Sequence, residues 1–359
     1  MFSSLFLKSF RILLFPFSLL YWLGIAVRNY LYDRQILKSS SFGLPLIGVG
    51  NLAVGGTGKS PMVEYLVCLL RTQYKVATLS RGYKRKTKGY ALAGENSTAL
   101  EIGDEPMQFH LKFPDIPVAV GEERLVAIPH LLQDRPDTEL IILDDAFQHR
   151  AVQAGLNILL TEYNNLFTRD FYLPTGDLRD LKSGYKRADL IVVTKCREDL
   201  AEQERQKIVA EIDPLPVQKI FFTSIAYGHP YHFVNKKERE LTADTELLLV
   251  TGIANPRPLK QLLEEKHNGY VMLQYPDHHI FTIDDWREIG HKFNEIKADK
   301  KIILTTEKDA VRLEKFKQEA EGLPLYVIPV RHRFLFEEGA VFDNTILQFI
   351  RTFHSGDKK

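Results

Sequence analysis

The segment from Ala53 to Ser60, AVGGTGKS, constrains the fold of this chain more than any other part of its sequence. It follows an apolar run, Leu46 to Gly50, and has the spacing G-x-x-x-x-G-K-S/T of a phosphate-binding loop, with alanine in place of the first glycine. Glycines in such a loop let consecutive backbone N–H groups point inward and form a cradle for phosphate oxygens. The sequence therefore predicts a strand, a phosphate-binding loop (P-loop) and a helix that begins at Lys59.

Each end of this loop has an expected role. Lys59 reaches the outer phosphates of a nucleotide, Ser60 offers its hydroxyl to Mg²⁺, and the helix directs the positive end of its dipole at the same anions. The alternative is a glycine-rich turn with a solvated lysine, but Gly58, Lys59 and Ser60 all match the motif. The predicted nucleotide-binding residues are Ala53, Val54, Gly55, Gly56, Thr57, Gly58, Lys59 and Ser60.

A second feature fits the same kind of site. The apolar strand predicted from Leu140 to Asp144 ends in paired aspartates, Asp144 and Asp145. A carboxylate at the carboxyl end of a strand beside a P-loop holds Mg²⁺ directly or through water. A strand that merely ends in an acidic turn is the alternative, and the loop upstream disfavours it.

The composition narrows the class of protein. A chain of 359 residues with 45% hydrophobic and 26% charged residues is long enough for two globular domains. Because 47 Lys and Arg residues balance 46 Asp and Glu residues, no overall field attracts nucleic acid, and none is expected as a partner. Cys68 and Cys196 have neither metal-ligand spacing nor a disulfide pattern, which indicates reduced thiols in a cytosolic protein.

Short apolar runs alternate with helical stretches from Leu46 onward, which predicts a largely parallel sheet with helices on both faces. The strands predicted for a first unit are Leu46 to Leu52, Lys75 to Ser80, Pro117 to Val120, Leu140 to Asp144, Leu156 to Thr161, Leu190 to Thr194 and Lys219 to Ile225, with helices from Lys59 to Arg71 and Glu123 to Leu132. The strands predicted for a second unit are Leu247 to Thr251, Tyr270 to Gln274, Lys301 to Thr305 and Leu325 to Pro329, with helices from Pro256 to Lys266, Ile283 to Ile296 and, last, Phe342 to Phe353.

This pattern divides the chain into five parts. Residues 1–40 form an N-terminal membrane-associated helix, 41–226 a P-loop nucleotide-binding domain, and 227–244 a polar linker or β-ribbon. Residues 245–335 form a second, smaller α/β domain. Residues 336–359 contain a C-terminal helix that we expect to pack back on the first domain.

The N-terminal segment has three possible interpretations. Ile12 to Val27 carries no charge, yet a helix of this length reaches about 24 Å, short of the ~30 Å hydrocarbon core, and Pro16 is expected to kink it. A secretory signal peptide is disfavoured because the P-loop needs cytosolic nucleotide. A buried core helix is the second interpretation. We favour the third, a helix that embeds in or barely crosses the membrane, with Arg11 and Arg28 at the headgroups.

Phosphoryl transfer also needs a base for the acceptor hydroxyl and cations that bind the spreading charge. Candidates for the base are Asp104, in the sequence GDEP, and the histidines His278 and His279. Arginines in loops at predicted strand ends are candidates for phosphate or substrate contacts, although for any one of them alone a solvated surface arginine is the favoured interpretation. These arginines are Arg81, Arg124 and Arg179.

The motifs together resemble one known family. The ordered set GNLAVGGTGKSP, SRGYKRK, GDEP, LDDAFQH, TGDLR, VVTK, TGIANP, DHH and TTEKDAVR, behind an apolar N-terminal helix, strongly resembles the tetraacyldisaccharide 4′-kinase (lipid A 4′-kinase) family. The resemblance covers nearly the whole chain. The chain departs from the family where Leu178-Arg179-Asp180-Leu181 replaces the frequent Leu-Arg-Glu-Pro, so a role for the acidic position carries over only loosely.

The resemblance implies a kinase that uses ATP and Mg²⁺ to phosphorylate the 4′-hydroxyl of the tetra-acylated glucosamine disaccharide 1-phosphate in lipid A biosynthesis. It implies two α/β/α domains joined by a β-ribbon, with a cleft between them. In this cleft Asp104 is the catalytic base, supported by His278 or, alternatively, by His279. The implied metal site consists of Ser60, Asp144, Asp145 and Gln148, with Glu105 as a possible addition.

The same resemblance implies a location at the cytoplasmic face of the inner membrane of Gram-negative bacteria. The expected partners are therefore the lipid substrate and the membrane surface, with no obligate protein partner. Two other classes are compatible with parts of the sequence. A membrane-associated GTPase is disfavoured because Arg197 stands where a guanine-reading aspartate belongs after Val193-Thr194-Lys195, and a soluble small-molecule kinase requires the N-terminal helix to be a core element.

Overall fold

The computed structural model describes residues 11–266 and 269–356, whose elements form two sheets with flanking helices. In the first part of the chain these are α1 (Phe15–Asp33), β1 (Leu46–Asn51), α2 (Lys59–Leu70), β2 (Val76–Ser80), β3 (Ala91–Leu92), α3 (Ala99–Ile102), α4 (Asp104–Lys112), β4 (Val118–Val120), α5 (Arg124–Asp134), β5 (Leu140–Asp144), β6 (Leu156–Glu162), a 3₁₀ helix (Lys182–Arg187), β7 (Leu190–Thr194), α6 (Glu202–Ile212) and β8 (Lys219–Tyr227). In the second part they are β9 (Tyr231–His232), β10 (Glu246–Thr251), α7 (Arg257–Lys266), β11 (Tyr270–Gln274), α8 (Ile283–Glu295), β12 (Lys301–Thr306), α9 (Glu307–Leu313), a 3₁₀ helix (Glu314–Phe316), β13 (Leu325–Ile328), β14 (Val330–Phe334) and α10 (Gly339–Gly356).

The larger sheet has nine strands in the order β14, β8, β7, β6, β1, β5, β2, β4, β3. Neighbouring strands are parallel except at the two edges, where β14 pairs with β8 and β3 pairs with β4 in antiparallel fashion. The register of β1 and β5 places Val49 opposite Asp144. The P-loop after β1 and the aspartates after β5 therefore lie side by side at the carboxyl edge, where ligands bind in open parallel sheets.

Both faces of the central strands β1 and β5 are buried, which explains why these strands are apolar up to their last residues, Asn51 and Asp144. One face of β1 and β5 packs against α2 and α10 through Ile47, Ile142, Leu66, Phe342 and Ile346. The other face packs against α5 through Leu46, Ile141, Ala127, Ile128 and Leu131. These two layers hold the carboxyl ends of β1 and β5 at fixed positions beneath the site.

The smaller sheet has five strands in the order β11, β10, β12, β13, β9, and β9 is antiparallel to its neighbour β13. Helix α9 follows β12 directly, and it begins after Thr306, whose hydroxyl accepts a hydrogen bond from the backbone N–H of Asp309 at 3.2 Å. Helix α9 packs against α4 of the larger sheet. The first turn of α4, which carries Asp104 and Glu105, thus meets the second half of the chain.

The structure confirms the predicted mixed α/β chain with a large, mainly parallel sheet. The sequence did not predict α3, α4, α6, α9, β3, β9 or β14. The predicted second domain extended to residue 335, but β14 (330–334) belongs to the larger sheet, which corrects that boundary. Only the first and last residues of this edge strand, Val330 and Phe334, are apolar, and the buried position between them is His332, so the strand has no alternating apolar pattern that would separate it from a loop. The division into domains otherwise stays a prediction.

The N-terminal helix α1 begins next to Pro16. This residue lies in the first turn of α1, where its missing N–H would have no helical partner. A turn at Leu13 and Leu14 separates α1 from the helical residues Arg11 and Ile12, so the helical run is interrupted beside Pro16, as expected. Many apolar side chains of α1 are exposed, which contradicts a buried core helix. Within residues 11–266 and 269–356 no helix has the length and apolar character needed to span a membrane. Residues 1–10 of the predicted N-terminal segment and 357–359 of the C-terminal segment lie outside the described residues.

Candidate active site

The P-loop leaves β1 at Asn51 and enters α2 at Lys59. Gly58 has a φ of +88°, and a Cβ there would lie 3.0 Å from the ring of His332, so this position requires glycine. Ala53, which replaces the usual first glycine, forms a β-bridge with Leu178 and is therefore extended, a conformation that tolerates a methyl group. The departure from the motif leaves the loop conformation intact.

Two side chains from outside the P-loop bind Thr57 within it. One belongs to Asn51, just before the loop, and the other to Thr194 on β7. The hydroxyl of Thr194, at the end of β7, donates to the Thr57 carbonyl oxygen at 2.8 Å. The side-chain amide of Asn51 donates to the Thr57 hydroxyl at 3.0 Å. Both donors are completely buried, so the loop is fixed from below by its own strand and by a neighbouring strand.

His332, on β14, supports the same loop and was missed by the sequence analysis. Its Nε2 lies 2.9 Å from the Gly58 carbonyl oxygen, and its Nδ1 lies 3.0 Å from the Thr223 hydroxyl. Burial lowers the pKa of His332 to about 4, so the ring is neutral. Because a carbonyl oxygen only accepts, Nε2 carries the proton and Nδ1 accepts from Thr223. A single histidine on an unpredicted edge strand gave no sequence signal for this role.

We expect His332→Ala to weaken ATP binding by about tenfold, because the Gly58 carbonyl loses its buried donor and the P-loop is no longer fixed in the conformation that binds phosphates. Titration calorimetry with ATP measures this effect. His291→Ala is the control, since His291 is exposed on α8 and contacts Glu295 of the same helix. Wild-type ATP affinity in a folded His332→Ala protein would contradict the role of His332 as a loop support.

Asp145 lies between two cations of the site. Lys59 Nζ is 3.4 Å from Asp145 Oδ1, and the Arg179 guanidinium contacts both carboxylate oxygens, with 2.9 Å from Nη1 to Oδ2. Burial acts to raise the pKa of Asp145, but the hydrogen bonds and charges of Arg179 and Lys59 hold it well below its usual value. Both cations also bind the Asn51 side-chain oxygen. The structure thus brings Lys59, Asp145 and Arg179 together beside the loop.

Asp144 is buried next to this pair. Its Oδ2 accepts a hydrogen bond from the Ser80 hydroxyl at 3.3 Å, while its Oδ1 is buried without a hydrogen-bond partner among the described residues. Burial, together with the charges of Glu105 and Asp145, raises the pKa of Asp144 to about 7. The charges of Lys59 and Arg124 act to lower this pKa, but no cation among the described residues makes an ion pair with the Asp144 carboxylate, so a bound metal ion would be its direct partner.

Glu105, in the first turn of α4, faces the P-loop. Its Oε1 accepts from the Ser60 hydroxyl at 2.9 Å and lies 3.3 Å from Lys308 Nζ on α9. Burial acts to raise its pKa, but the charges of Lys308 and Lys59 and the bond from Ser60 lower it below the usual value. The predicted association of Glu105 with Ser60 is thus present in the structure.

The oxygens of this cluster fit Mg²⁺, which binds hard oxygen ligands. Ser60, Glu105 and Asp144 supply a hydroxyl and two carboxylates, and the unpartnered Oδ1 of Asp144 is a free ligand. Among the described residues no three His, Cys, Asp or Glu side chains converge on one metal position. Mg²⁺ in kinase sites needs no such cage, because one or two carboxylates hold it together with substrate phosphates. Gln148 instead donates its side-chain N–H to the Asn51 carbonyl oxygen at 2.8 Å, and its buried side-chain oxygen has no partner in the described part.

Asp104 begins α4 and meets two groups from the second half of the chain. Gly103, with a φ of +96°, lets the chain turn directly into this helix. The Oδ2 of Asp104 lies 3.1 Å from Nδ1 of His278, 3.1 Å from Nε of Arg312 and 2.8 Å from Nη2 of Arg312. Burial acts to raise the pKa of Asp104, but Arg312 and His278 hold it below its usual value. Asp104 is therefore ionised at neutral pH.

The structure separates the two candidate histidines. His278 contacts Asp104, whereas Nε2 of His279 lies 2.9 Å from Asp285 Oδ2 and its ring stacks on Tyr275. The Nδ1 of His278 also lies 3.1 Å from Arg312 Nη2. One nitrogen cannot do both, so Nδ1 donates to Asp104 when it carries a proton and accepts from Arg312 when it does not.

The predicted arginines have different surroundings. Arg179 binds Asp145, and Arg81 is exposed. Arg124 is only 2% exposed, and its guanidinium donates to the carbonyl oxygens of Gly121 and, at 3.0 Å, of Asp144. This corrects the prediction of a substrate contact for Arg124, which supports the backbone beneath the aspartates.

His149 is a further residue that the sequence analysis did not select, although it ends the LDDAFQH motif. Burial, together with the charges of Arg124 and Arg81, lowers the pKa of His149 to about 4.

Asp180, at the position where the chain departs from the family pattern, is completely buried and accepts hydrogen bonds from Asn29 at 2.8 Å and from Arg187 at 2.7 Å. Because Asn29 belongs to α1, Asp180 fixes the loop that precedes the 3₁₀ helix Lys182–Arg187 against α1.

Comparisons with known proteins place the chain in one family. The family model for tetraacyldisaccharide-1-P 4′-kinase matches residues 10–351. The chain is 46% identical over 343 residues to a tetraacyldisaccharide 4′-kinase of Flavobacterium johnsoniae, covering 95% of this chain and 97% of the relative. It is 42% identical over 352 residues to one of Bacteroides thetaiotaomicron, covering 94% and 93%.

The fold has a solved counterpart. A crystal structure of LpxK from Aquifex aeolicus in complex with ATP superimposes with a TM-score of 0.74 at 28% sequence identity. The match covers 95% of this chain and 99% of that protein. The similarity therefore extends over both sheets.

Proposed function

The chain belongs to the tetraacyldisaccharide-1-P 4′-kinase family, and we propose that it transfers the γ-phosphoryl group of ATP to the 4′-hydroxyl of this lipid disaccharide with Asp104 as the general base. The observation that supports this role most directly is the position of Asp104. Its neighbour Glu105 contacts Ser60 of the P-loop, while Asp104 itself contacts His278. Asp104 is thus adjacent in the helix to a residue that contacts the P-loop, where phosphoryl transfer needs a base for the acceptor hydroxyl.

The transfer proceeds by proton removal and in-line displacement. Asp104 accepts the proton of the 4′-hydroxyl, and the oxygen forms a bond to the γ-phosphorus as the bond from that phosphorus to the β,γ-bridging oxygen breaks. ADP leaves with the electron pair of the broken bond. Lys59, Arg179 and the P-loop N–H groups stabilise the negative charge on the transferred group. His278 donates to Asp104 when its Nδ1 is protonated, which orients the carboxylate.

Ser60, Glu105 and Asp144 are the residues that fit Mg²⁺, with Asp145 beside them. When bound, Mg²⁺ supplies charge neutralisation at the β- and γ-phosphates. Two properties of Asp144 support its assignment as a Mg²⁺ ligand. Its Oδ1 has no hydrogen-bond partner among the described residues, and the pKa of its carboxyl group is raised by burial beside Glu105 and Asp145, which a bound cation would offset.

The experiment for the proposed function uses purified protein, labelled ATP, Mg²⁺ and the tetra-acylated disaccharide 1-phosphate in detergent micelles. We expect a bisphosphorylated lipid whose formation depends on both ATP and Mg²⁺. GTP in place of ATP tests the alternative of a guanine-nucleotide switch. ATP hydrolysis without a bisphosphorylated lipid product would contradict the proposed function.

We propose further that the protein works at the cytoplasmic face of the inner membrane, with the exposed apolar side of α1 and the residues before it in contact with lipid. Leu13, in the turn before α1, is 71% exposed, and Phe17 and Leu20, on α1, are 60% and 66% exposed. The same helix is tied to the site, because Asn29 binds Asp180 and Arg28 donates to the Gln148 carbonyl oxygen at 2.7 Å. Contact with lipid along α1 would thus bring the site close to a membrane-bound acceptor.

We expect the triple substitution Leu13→Ser, Phe17→Ser and Leu20→Ser to reduce binding to phosphatidylglycerol-containing vesicles at least about tenfold, since each side chain loses apolar area that lipid would bury. Vesicle co-sedimentation measures the bound fraction. Val217→Ser, at an exposed apolar residue outside α1, is the control. Equal binding of the triple variant and wild type would refute lipid contact through this helix.

A further inference from the structure

Arg312 makes two of the three hydrogen-bond contacts with Asp104, and no local sequence pattern predicts this role. It belongs to α9, whereas Asp104 begins α4. Two of its nitrogens, Nε and Nη2, lie 3.1 Å and 2.8 Å from the same oxygen, Oδ2 of Asp104. His278 contacts this oxygen as well. The other oxygen, Oδ1, has no hydrogen-bond partner among the residues that the structure describes.

Arg312 is itself held rigidly. Its side chain is only 5% exposed, and Nη1 lies 3.3 Å from both the Gly252 carbonyl oxygen and Asp309 Oδ1. Asp309 is completely buried, and its Oδ2 accepts from three groups, the Thr251 hydroxyl, the Gly252 N–H and the Thr306 hydroxyl. The guanidinium therefore has a fixed plane, which is set by the end of β10 and the start of α9.

We propose that Arg312 is a positioning residue for the phosphoryl transfer, which fixes Oδ2 of Asp104 so that Oδ1 alone receives the proton of the acceptor hydroxyl. The terminal torsion of an aspartate is broad, so a carboxylate without such a partner samples many orientations. The planar fork of arginine restricts this rotation, and a lysine ammonium does not. This inference rests on the proposed function, in which Asp104 is the base.

The pairing also couples the two halves of the chain. Asp104 and Glu105 are consecutive on α4, and their partners Arg312 and Lys308 lie one helical turn apart on α9. Arg312 acts on the carboxylate beside the acceptor, and Lys308 acts on the carboxylate that binds Ser60. The orientation of the base therefore depends on how α9 packs against α4.

The test compares wild type, Arg312→Ala, Arg312→Lys, Asp104→Asn and the double variant Arg312→Ala/Asp104→Asn in the 4′-kinase assay. We expect Arg312→Ala to lower kcat about 10²-fold, the effect of a misplaced reacting group, with KM for ATP changed less than about threefold. Arg312→Lys keeps the positive charge but not the planar fork, so we expect it to leave most of this loss in place. Added guanidinium ion, below denaturing concentration, is expected to raise kcat of Arg312→Ala and to leave wild type unchanged.

The double variant separates positioning from a general structural role. If Arg312 acts through Asp104, removing it from the Asp104→Asn protein lowers kcat by less than about threefold further. Arg287→Ala, which breaks an exposed ion pair on α8, is the control and is expected to match wild type.

Three outcomes would overturn the inference. The first is a wild-type kcat in Arg312→Ala, and the second is a full additional 10²-fold loss of kcat in the double variant. The third is a loss of kcat in Arg312→Ala that guanidinium ion does not restore and that accompanies a lower unfolding temperature. An inactive wild type would instead refute the proposed function.

Discussion

Asp104→Asn is expected to lower kcat of the 4′-kinase reaction by about 10³-fold, within the 10²- to 10⁴-fold range of general-base catalysis. The amide cannot accept the proton of the 4′-hydroxyl. Its side-chain oxygen still accepts hydrogen bonds, so the contact with Arg312, only 5% exposed, is retained and the fold is preserved. Steady-state kinetics with labelled ATP measures kcat, and calorimetry measures ATP affinity, which we expect to stay within about twofold of wild type.

Asp115→Asn is the matched control for this prediction. Asp115 makes an exposed ion pair with Arg71 at 2.8 Å, away from the P-loop, and exposed pairs contribute little to stability. We expect wild-type kinetics from this variant. Near-normal turnover of Asp104→Asn would show that another group removes the proton, and His278, whose Nδ1 is 3.1 Å from Asp104, would then be the next candidate.

The parts of the site that the sequence predicted are those with strong local patterns. The P-loop, the aspartates after β5 and the buried strands follow from spacing and apolar runs within short segments. The pairing of β1 with β5 then places Lys59 and Asp145 within 3.4 Å of each other. Asp104 and His278 are 174 positions apart, and their contact followed from family resemblance, since neither sequence pattern nor spacing relates them.

The residues that sequence reasoning missed make long-range contacts from elements with weak patterns. His332 lies on a five-residue edge strand and binds Gly58, far away in the sequence. Arg312 lies on a seven-residue helix, too short for a clear periodicity. Arg124 was expected to contact a substrate because it follows a predicted strand. Its side chain is buried because of how α5 packs against the sheet, and a local sequence pattern does not predict such packing.

Lys59→Ala is expected to lower kcat by about 10²- to 10³-fold, with a smaller effect on ATP affinity, because a charge aimed at the transferred phosphoryl group stabilises the transition state more than the bound nucleotide. Asp145 keeps its partner Arg179 in this variant, so no buried carboxylate is left unpaired and the fold is expected to persist. Single-turnover kinetics separates the chemical step from binding, and thermal unfolding tests the fold.

The matched control is Lys75→Ala, which removes an exposed lysine just before β2 and is expected to leave kcat unchanged. Lys59→Arg is not expected to restore the activity, because Lys59 is compact enough to contact both Asn51 and Asp145 within 3.4 Å, and a planar guanidinium needs a wider space. A Lys59→Ala protein that kept its rate but bound ATP poorly would show that this lysine binds ground and transition states equally. The phosphoryl group would then be stabilised mainly by Arg179 and the backbone N–H groups of the loop.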